Sequence, residues 1–375
     1  MQLSQLSTQG FRNLSSDPVS FGTGVTLITG ENAQGKTNLL EAVALVCGQR
    51  SFRGASLSAM ARDGERFTIA ANAERRAGTE RIALSWSREG GREFFRGEKP
   101  AGFRDVSGIC PAVFLSPEHR ELLYGSPAVR RRFVDRLVLG WRPAAGDDQA
   151  RYAMALKERN ALLLRARHGH AVAEGELEAW TEELCVAGAA LRRHRRAALA
   201  IWQRELLELS RQAGPEYAAI ETSYAAHAPG SDADGGDETE DLRRACERVR
   251  HLERRRGYSL AGPHRDDLLW TRRGKPLAAQ ASAGEALRTV ALAKLAEWSA
   301  VAKAGGEAPL FAADDFDAGL SEAWVEEFWD ALPREATVLL TTTSAPSRWA
   351  RRAAGLLEVS RGTVATRPVL RAVEA

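Results

Sequence analysis

The residues best suited to chemistry form one short run, Gly30-Glu31-Asn32-Ala33-Gln34-Gly35-Lys36-Thr37. It is a GxxxxGKT pattern, preceded by a β-prone stretch at residues 25–29 and followed by an apolar helical stretch from Asn38 that stops at Gly48. Glycine lets the backbone turn so tightly that successive N–H groups point inward at phosphate, and the start of the helix adds positive partial charge. Lys36 then reaches the terminal phosphates, where it also steadies the charge of the reaction, and the Thr37 hydroxyl can ligate Mg²⁺. Gly30, Asn32, Ala33, Gln34, Gly35, Lys36, Thr37 and Asn38 are therefore the expected nucleotide cradle.

Far downstream, residues 309–315 read Pro-Leu-Phe-Ala-Ala-Asp-Asp, an apolar strand tipped by two carboxylates. A carboxylate at a strand tip beside a phosphate loop can hold Mg²⁺, and a second can orient or deprotonate the attacking water. Asp314 is assigned to the metal and Asp315 to the water; a solvated acid pair at a strand end is the plainer alternative. Ser282-Ala283-Gly284-Glu285 opens a further helical stretch. Serine in that place is also an ordinary helix N-cap. Its position in the order, after the phosphate loop and a long insert and before the acid-tipped strand, matches ABC-type ATPases with a split head. In that class the serine turn caps the γ-phosphate bound by a second subunit.

These residues need a scaffold, and 375 residues exceed what one core usually fills. Alternation at residues 67–73 and 82–86 predicts antiparallel strands around the phosphate-loop helix. From about 117 to 256 the spacing of Leu and Ala is helical, as at Leu156, Leu162, Leu163, Leu184, Ala187 and Leu191. The run from Ala228 to Asp237 is an acidic, turn-rich loop with no assigned chemistry. β/α punctuation returns after Gly257. The expected architecture is an α/β ABC-type ATPase head at 1–115 and 257–375, a P-loop core plus a β-rich lobe, with a mainly helical arm domain inserted at 116–256.

Composition adds exclusions. A hydrophobic fraction of 44% with 27% charged residues fits a folded globular chain. The net charge of +3 is too small to argue for nucleic acid by itself. Cys47, Cys110, Cys185 and Cys246 show neither zinc spacing nor a disulfide framework. No charged leader or spanning apolar stretch is visible, so the expected location is cytoplasmic, without a membrane.

Further strings carry a family likeness: Gly10-Phe11-Arg12-Asn13-Leu14, the GKTNLLEA run from Gly35, Ser51-Phe52-Arg53, Ser116-Pro117-Glu118, the Arg130-Arg131-Arg132-Phe133-Val134-Asp135 run, Lys157-Glu158-Arg159-Asn160, and Gly262-Pro263-His264-Arg265-Asp266-Asp267. With them the chain resembles, over nearly its whole length, the RecF family of bacterial recombination mediators, related to the heads of SMC and Rad50 proteins. The resemblance implies ATP and Mg²⁺ as cofactors, a weak DNA-stimulated ATPase, and an ATP-dependent homodimer. It implies Arg12 and Asn13 near the nucleotide, and Ser282, Gly284 and Glu285 on ATP held by the opposite protomer. It further implies work in replication and repair at duplex DNA and single/double-strand junctions, with RecR and RecO, assisting recombinase loading. A metal site of His264, Asp266 and Asp267 is the alternative reading of the GPHRDD string.

Two departures stand out. Where the family has a Ser-Glu-Leu-Asp loop, this chain has Ala318-Gly319-Leu320-Ser321, and Thr341, Thr342 and Thr343 offer no histidine of the kind that senses γ-phosphate in transporter ATPases. The second disfavours a transporter subunit; the first motivates the rival reading of a nucleotide-gated clamp with negligible hydrolysis. Basic clusters at 130–132, 192–196 and 254–256 could line a DNA groove in a sequence-independent way, or be solvated helix faces.

Overall fold

The computed structural model describes residues 1–227, 237–344 and 346–369. Residues 228–236 of the acidic run lie outside them. The chain divides into two compact units, Met1–Arg120 with Ser282–Ala375, and Glu121–Ala281.

The first unit holds two six-stranded sheets. One is antiparallel and contains the alternating strands Arg66–Arg75 and Gly78–Ser87, whose inward residues Phe67, Ile69, Ile82 and Leu84 are buried. The other runs in the order Thr363–Arg367, Gly355–Ser360, Gly24–Thr29, Thr337–Thr342, Leu310–Ala313, Ala112–Leu115, and is parallel apart from the first pair. Its central strands read as continuous apolar runs because both faces are covered. The helix Lys36–Val46 packs on strands of both sheets, so residues 39–46 are buried all round instead of showing one apolar stripe. Each larger aliphatic side chain so buried contributes about 1.5–3 kcal/mol.

Parallel neighbours bring distant segments to one edge. Leu27 pairs with Leu340, and Leu340 with Ala313, so Gly30, Thr341 and Asp314 all emerge at the carboxyl ends of adjacent strands. That is where open α/β sheets bind ligands.

The second unit is mainly helical, with helices Pro127–Trp141, Gly146–Arg167, Glu174–Ala213 and Glu238–Arg256. Asp237 caps the last by accepting a hydrogen bond from the Thr239 N–H. A three-stranded sheet of Ile220–Ala225, Asp267–Arg272 and Lys275–Pro276 completes it. Here the boundary differs from the one read at 257. Strand Asp267–Arg272 pairs along its whole length with Ile220–Ala225, which keeps the GPHRDD segment with the helices up to Ala281. Among the described residues no helix is long and apolar enough to cross a membrane.

Candidate nucleotide site

The phosphate loop is held in a conformation only its sequence permits. Gly30 has φ 148° and a Cβ there would lie 2.3 Å from the Val359 carbonyl oxygen, while Gly35 has φ 121°. Ala33 takes φ 63°, an uncommon angle for a side-chain-bearing residue. Lys36 Nζ folds back over the loop and donates to the carbonyls of Gly30 (2.7 Å) and Glu31 (3.0 Å). Asn32 and Ala33 are exposed.

Asn13 braces this loop. Its Nδ2 donates to the Gln34 carbonyl at 3.1 Å and its Oδ1 accepts from Asn38 Nδ2 at 2.8 Å. The hairpin at Arg361 and Gly362 braces it from the other side, with Gly362 N–H donating to the Gln34 carbonyl (2.8 Å) and Arg361 N–H to Gln34 Oε1 (2.6 Å). Gly362 has φ 81°, and a Cβ there would sit 1.7 Å from the Asn13 carbonyl oxygen. Sequence reading missed this glycine, whose only signal was a turn between two β-prone runs. Arg12 is engaged elsewhere: its Nε and Nη2 bind Glu41 Oε2 at 3.0 and 2.8 Å, and Glu41, fully buried, also accepts from Ser51 Oγ. Glu41 thus explains why the GFRN, LLEA and SFR strings belong together.

Thr37 Oγ1 donates to Asp314 Oδ1 at 3.2 Å, and Thr341 Oγ1 donates to the same oxygen at 2.6 Å. Burial is the main cause that pushes the Asp314 carboxyl up to about 6, with Asp315 and Glu118 adding like charge against the two hydroxyl bonds. Asp315 sits at φ 45°, anchored through its N–H to Thr341 Oγ1 (2.8 Å), and its carboxylate has no hydrogen-bond partner among the described residues. Asp317, a third carboxylate missed in the sequence, accepts from Thr342 Oγ1 at 2.8 Å; burial raises its pKa and Lys36 opposes the rise. A hydroxyl, a crowded buried carboxylate and an unpartnered carboxylate make a hard-oxygen donor set that suits Mg²⁺.

Ser282 caps helix Ala283–Gly305 in a capping box: its Oγ accepts from Glu285 N–H (3.3 Å), and Glu285 Oε2 accepts from Ser282 N–H (2.9 Å). Ser282 and Gly284 make no hydrogen bond to the phosphate loop of their own chain among the described residues. Arg288, one turn on, donates from Nη2 to Ser321 Oγ at 2.7 Å, tying this helix to the departing Ala318 to Ser321 loop.

Three arginines of the basic clusters, Arg130, Arg192 and Arg195, and the GPHRDD string turn inward. Arg192 and Arg195 are buried; Arg192 Nε and Nη2 grip Asp266 at 2.9 and 2.8 Å, and Arg195 Nε and Nη2 grip Asp135 at 2.8 and 3.0 Å. Arg130 pairs with Asp267 in the same forked way, at 2.7 and 2.8 Å. Asp266 also accepts from the Tyr224 hydroxyl and His227 N–H. Burial drives the His264 ring down to about 4, and Ser259 and Tyr152 occupy its two nitrogens. This is an internal ion-pair network and not a metal site, and no metal-holding cluster of three such residues occurs among the described residues, while Arg132, Arg193, Arg196 and Arg254 to Arg256 stay exposed. Arg159 in the KERN string is equally internal, buried against Glu253 (2.6 Å), Ser259 (2.7 Å) and Thr181 (2.9 Å).

Known proteins share the fold that carries this site. Residues 5–106 match the model of an AAA domain family. A solved structure described as the recombination mediator protein RecF with ATP in the RecFOR pathway superposes with a TM-score of 0.89 at 24% identity, covering 98% of each chain. An Smc head bound to the C-terminal winged-helix domain of ScpA superposes at 0.55 with 16% identity, covering 99% of each. DNA replication and repair protein RecF of Geobacillus thermodenitrificans is 31% identical over 92% of this chain and 93% of its own length. The protein of the same name from Myxococcus xanthus is 33% identical over 92% and 91%. By this likeness along almost its entire length, the chain belongs to the RecF family of DNA replication and repair proteins.

Proposed function

We propose that the chain is an ATPase of DNA replication and repair in which ATP and Mg²⁺ join two copies face to face, closing them on duplex or gapped DNA. The observation that carries the reading is the meeting of Thr37 with Asp314, 277 residues apart in sequence, at the edge where the phosphate loop opens. Bound there, Mg²⁺ would neutralise phosphate charge as the γ-phosphoryl group leaves. Thr37 and Asp314 would hold the ion. Lys36 releases its loop carbonyls and turns to the phosphates, while the loop N–H groups from Asn32 to Lys36 face the same oxygens. Asp315, whose carboxylate is uncommitted, positions or deprotonates the attacking water.

One copy lacks a cap for the far side of the γ-phosphate. The turn of exposed Ser282 with half-buried Gly284 and Glu285, bonded only locally at Ser282, supplies it from the second copy. Hydrolysis in this scheme is slow and DNA-stimulated, and it reopens the pair. The solved relative, a recombination mediator of the RecFOR pathway, supports RecR and RecO as partners and recombinase loading as the outcome; the reading places this work in the cytoplasm. DNA contact is sequence-independent and falls steeply with salt.

The test is phosphate release with and without duplex DNA, beside DNA binding measured with a slowly hydrolysed ATP analogue. DNA-stimulated release abolished by Asp315→Asn, with the variant's dimer persisting in ATP, supports hydrolysis as the release step. Equal DNA affinity with and without nucleotide would refute the clamp. A gated clamp that hardly hydrolyses is the second reading, favoured by one observation: Ser321, where the family has an acid, is bound to Arg288 instead.

A further inference from the structure

The helical unit contains an open cavity of about 410 Å³, whose lining includes Tyr152, Leu156 and Leu191, the arginines Arg131, Arg132 and Arg195, and the carboxylate Asp135. That volume falls within the roughly 300–1,000 Å³ of small-molecule sites, whose usual form is an apolar floor with a few charged groups. The charges around it do not balance. Asp267 is spent on Arg130, Asp266 on Arg192 and Asp135 on Arg195. Arg131 and Arg132 have no carboxylate bonded to them among the described residues, although Asp267, Asp266 and Asp135 lie within electrostatic reach of Arg131. Arg131 is half-buried, and its single hydrogen bond there runs from Nη1 to the Asp266 backbone carbonyl at 2.8 Å. Burial and the neighbouring Arg195 charge lower its pKa, and Asp267, Asp266 and Asp135 offset this only in part. Burial disfavours the charged form of the His264 ring and Tyr152 spends its hydroxyl on that ring at 2.6 Å, so neither supplies an anion.

Two adjacent unmatched guanidinium groups call for a dianion with several acceptor oxygens. A phosphomonoester carries a charge of about −1.5 to −2 at neutral pH and offers three oxygens to arginine forks, whereas a carboxylate satisfies one fork. We propose that this cavity binds a phosphomonoester, its phosphate held by Arg131 and Arg132 and a small planar or apolar organic part resting on Tyr152, Leu156 and Leu191. The site is separate from the phosphate loop and does not rest on the function proposed for it. Two sources share this chemistry, a free nucleoside monophosphate and the terminal phosphate of a DNA strand.

The experiment titrates the full chain, its phosphate loop saturated with an ATP analogue and Mg²⁺, with thymidine 5′-monophosphate, with thymidine, and with an oligonucleotide carrying either a 5′-phosphate or a 5′-hydroxyl. Saturable binding is expected of thymidine 5′-monophosphate and not of thymidine, and the oligonucleotide should bind more tightly with a 5′-phosphate than with a 5′-hydroxyl. Arg132→Glu, an exposed change, should weaken it about tenfold or more, the loss of a charged hydrogen bond. A readout that needs no variant is phenylglyoxal labelling of the wild-type chain, in which the bound probe should shield Arg131 and Arg132. Preference for the mononucleotide identifies a free ligand, and preference for the 5′-phosphorylated oligonucleotide identifies a strand end; both support the site. Equal binding of thymidine, unchanged affinity in Arg132→Glu, absent shielding, or preference for a glutamate-rich peptide over every phosphorylated probe would overturn it.

Discussion

Asp314 and Asp266 are both buried aspartates at the end of a family string, and their surroundings are opposite. Asp266 accepts two bonds from Arg192 and two more from Tyr224 and His227, so its charge is matched inside the fold. Asp314 has two hydroxyls and two acidic neighbours, Asp315 and Glu118, and no cation bonded to it. A matched buried carboxylate holds structure together; a carboxylate crowded by its own sign stores a penalty that a cation relieves. The same residue type therefore reads as architecture in one unit and as a metal position in the other.

The contrast can be broken in four ways. Asp266→Ala should cost the most stability, about 3–5 kcal/mol, because it strands Arg192 without a counter-charge; chemical denaturation would check it, and a loss below 1 kcal/mol would contradict the structural assignment. Asp315→Asn should lower phosphate release by about 10² or more while leaving the melting temperature close to wild type. Asp314→Asn should stabilise the nucleotide-free chain at neutral pH, by on the order of 2–3 kcal/mol, while weakening Mg²⁺-dependent ATP binding. The sign follows from the raised pKa of about 6 against the usual 3.8. The native carboxyl holds its proton more tightly than the unfolded one, so the penalty is full above pH 6 and gone below about 4. Thermal melts should show the variant's gain shrink across that window. Gly362→Ala, forced into positive φ against the Asn13 carbonyl, should cost about 1–3 kcal/mol and loosen ATP, measured by melting and titration.

How much of this was legible follows the range of the interactions. The phosphate loop is a local pattern, and the apolar runs at 310–313 and 338–340 identify buried parallel strands before any pairing is known. Pairings across long separations are not local. Arg192 and Asp266 stand 74 residues apart, and Arg130 and Asp267 stand 137 apart, so single arginines inside clusters that look solvated in sequence are consumed by acids the sequence cannot assign to them. Gly362 reaches the phosphate loop only because the Gly355–Ser360 strand adds beside Gly24–Thr29. The boundary at Ala281 was hidden for the same reason, since strand 267–272 has its partner at 220–225. Residue types announced the chemistry; the sheet order and the ion pairs decided which acids were free for it.

The most direct test of the central claim, that one chain carries only part of its nucleotide enclosure, is light scattering of wild type and Lys36→Met with and without ATP and Mg²⁺. Doubling of mass in wild type alone, on adding nucleotide, is the predicted result. A mass that stays constant at saturating ATP, or that doubles equally in Lys36→Met, would contradict it.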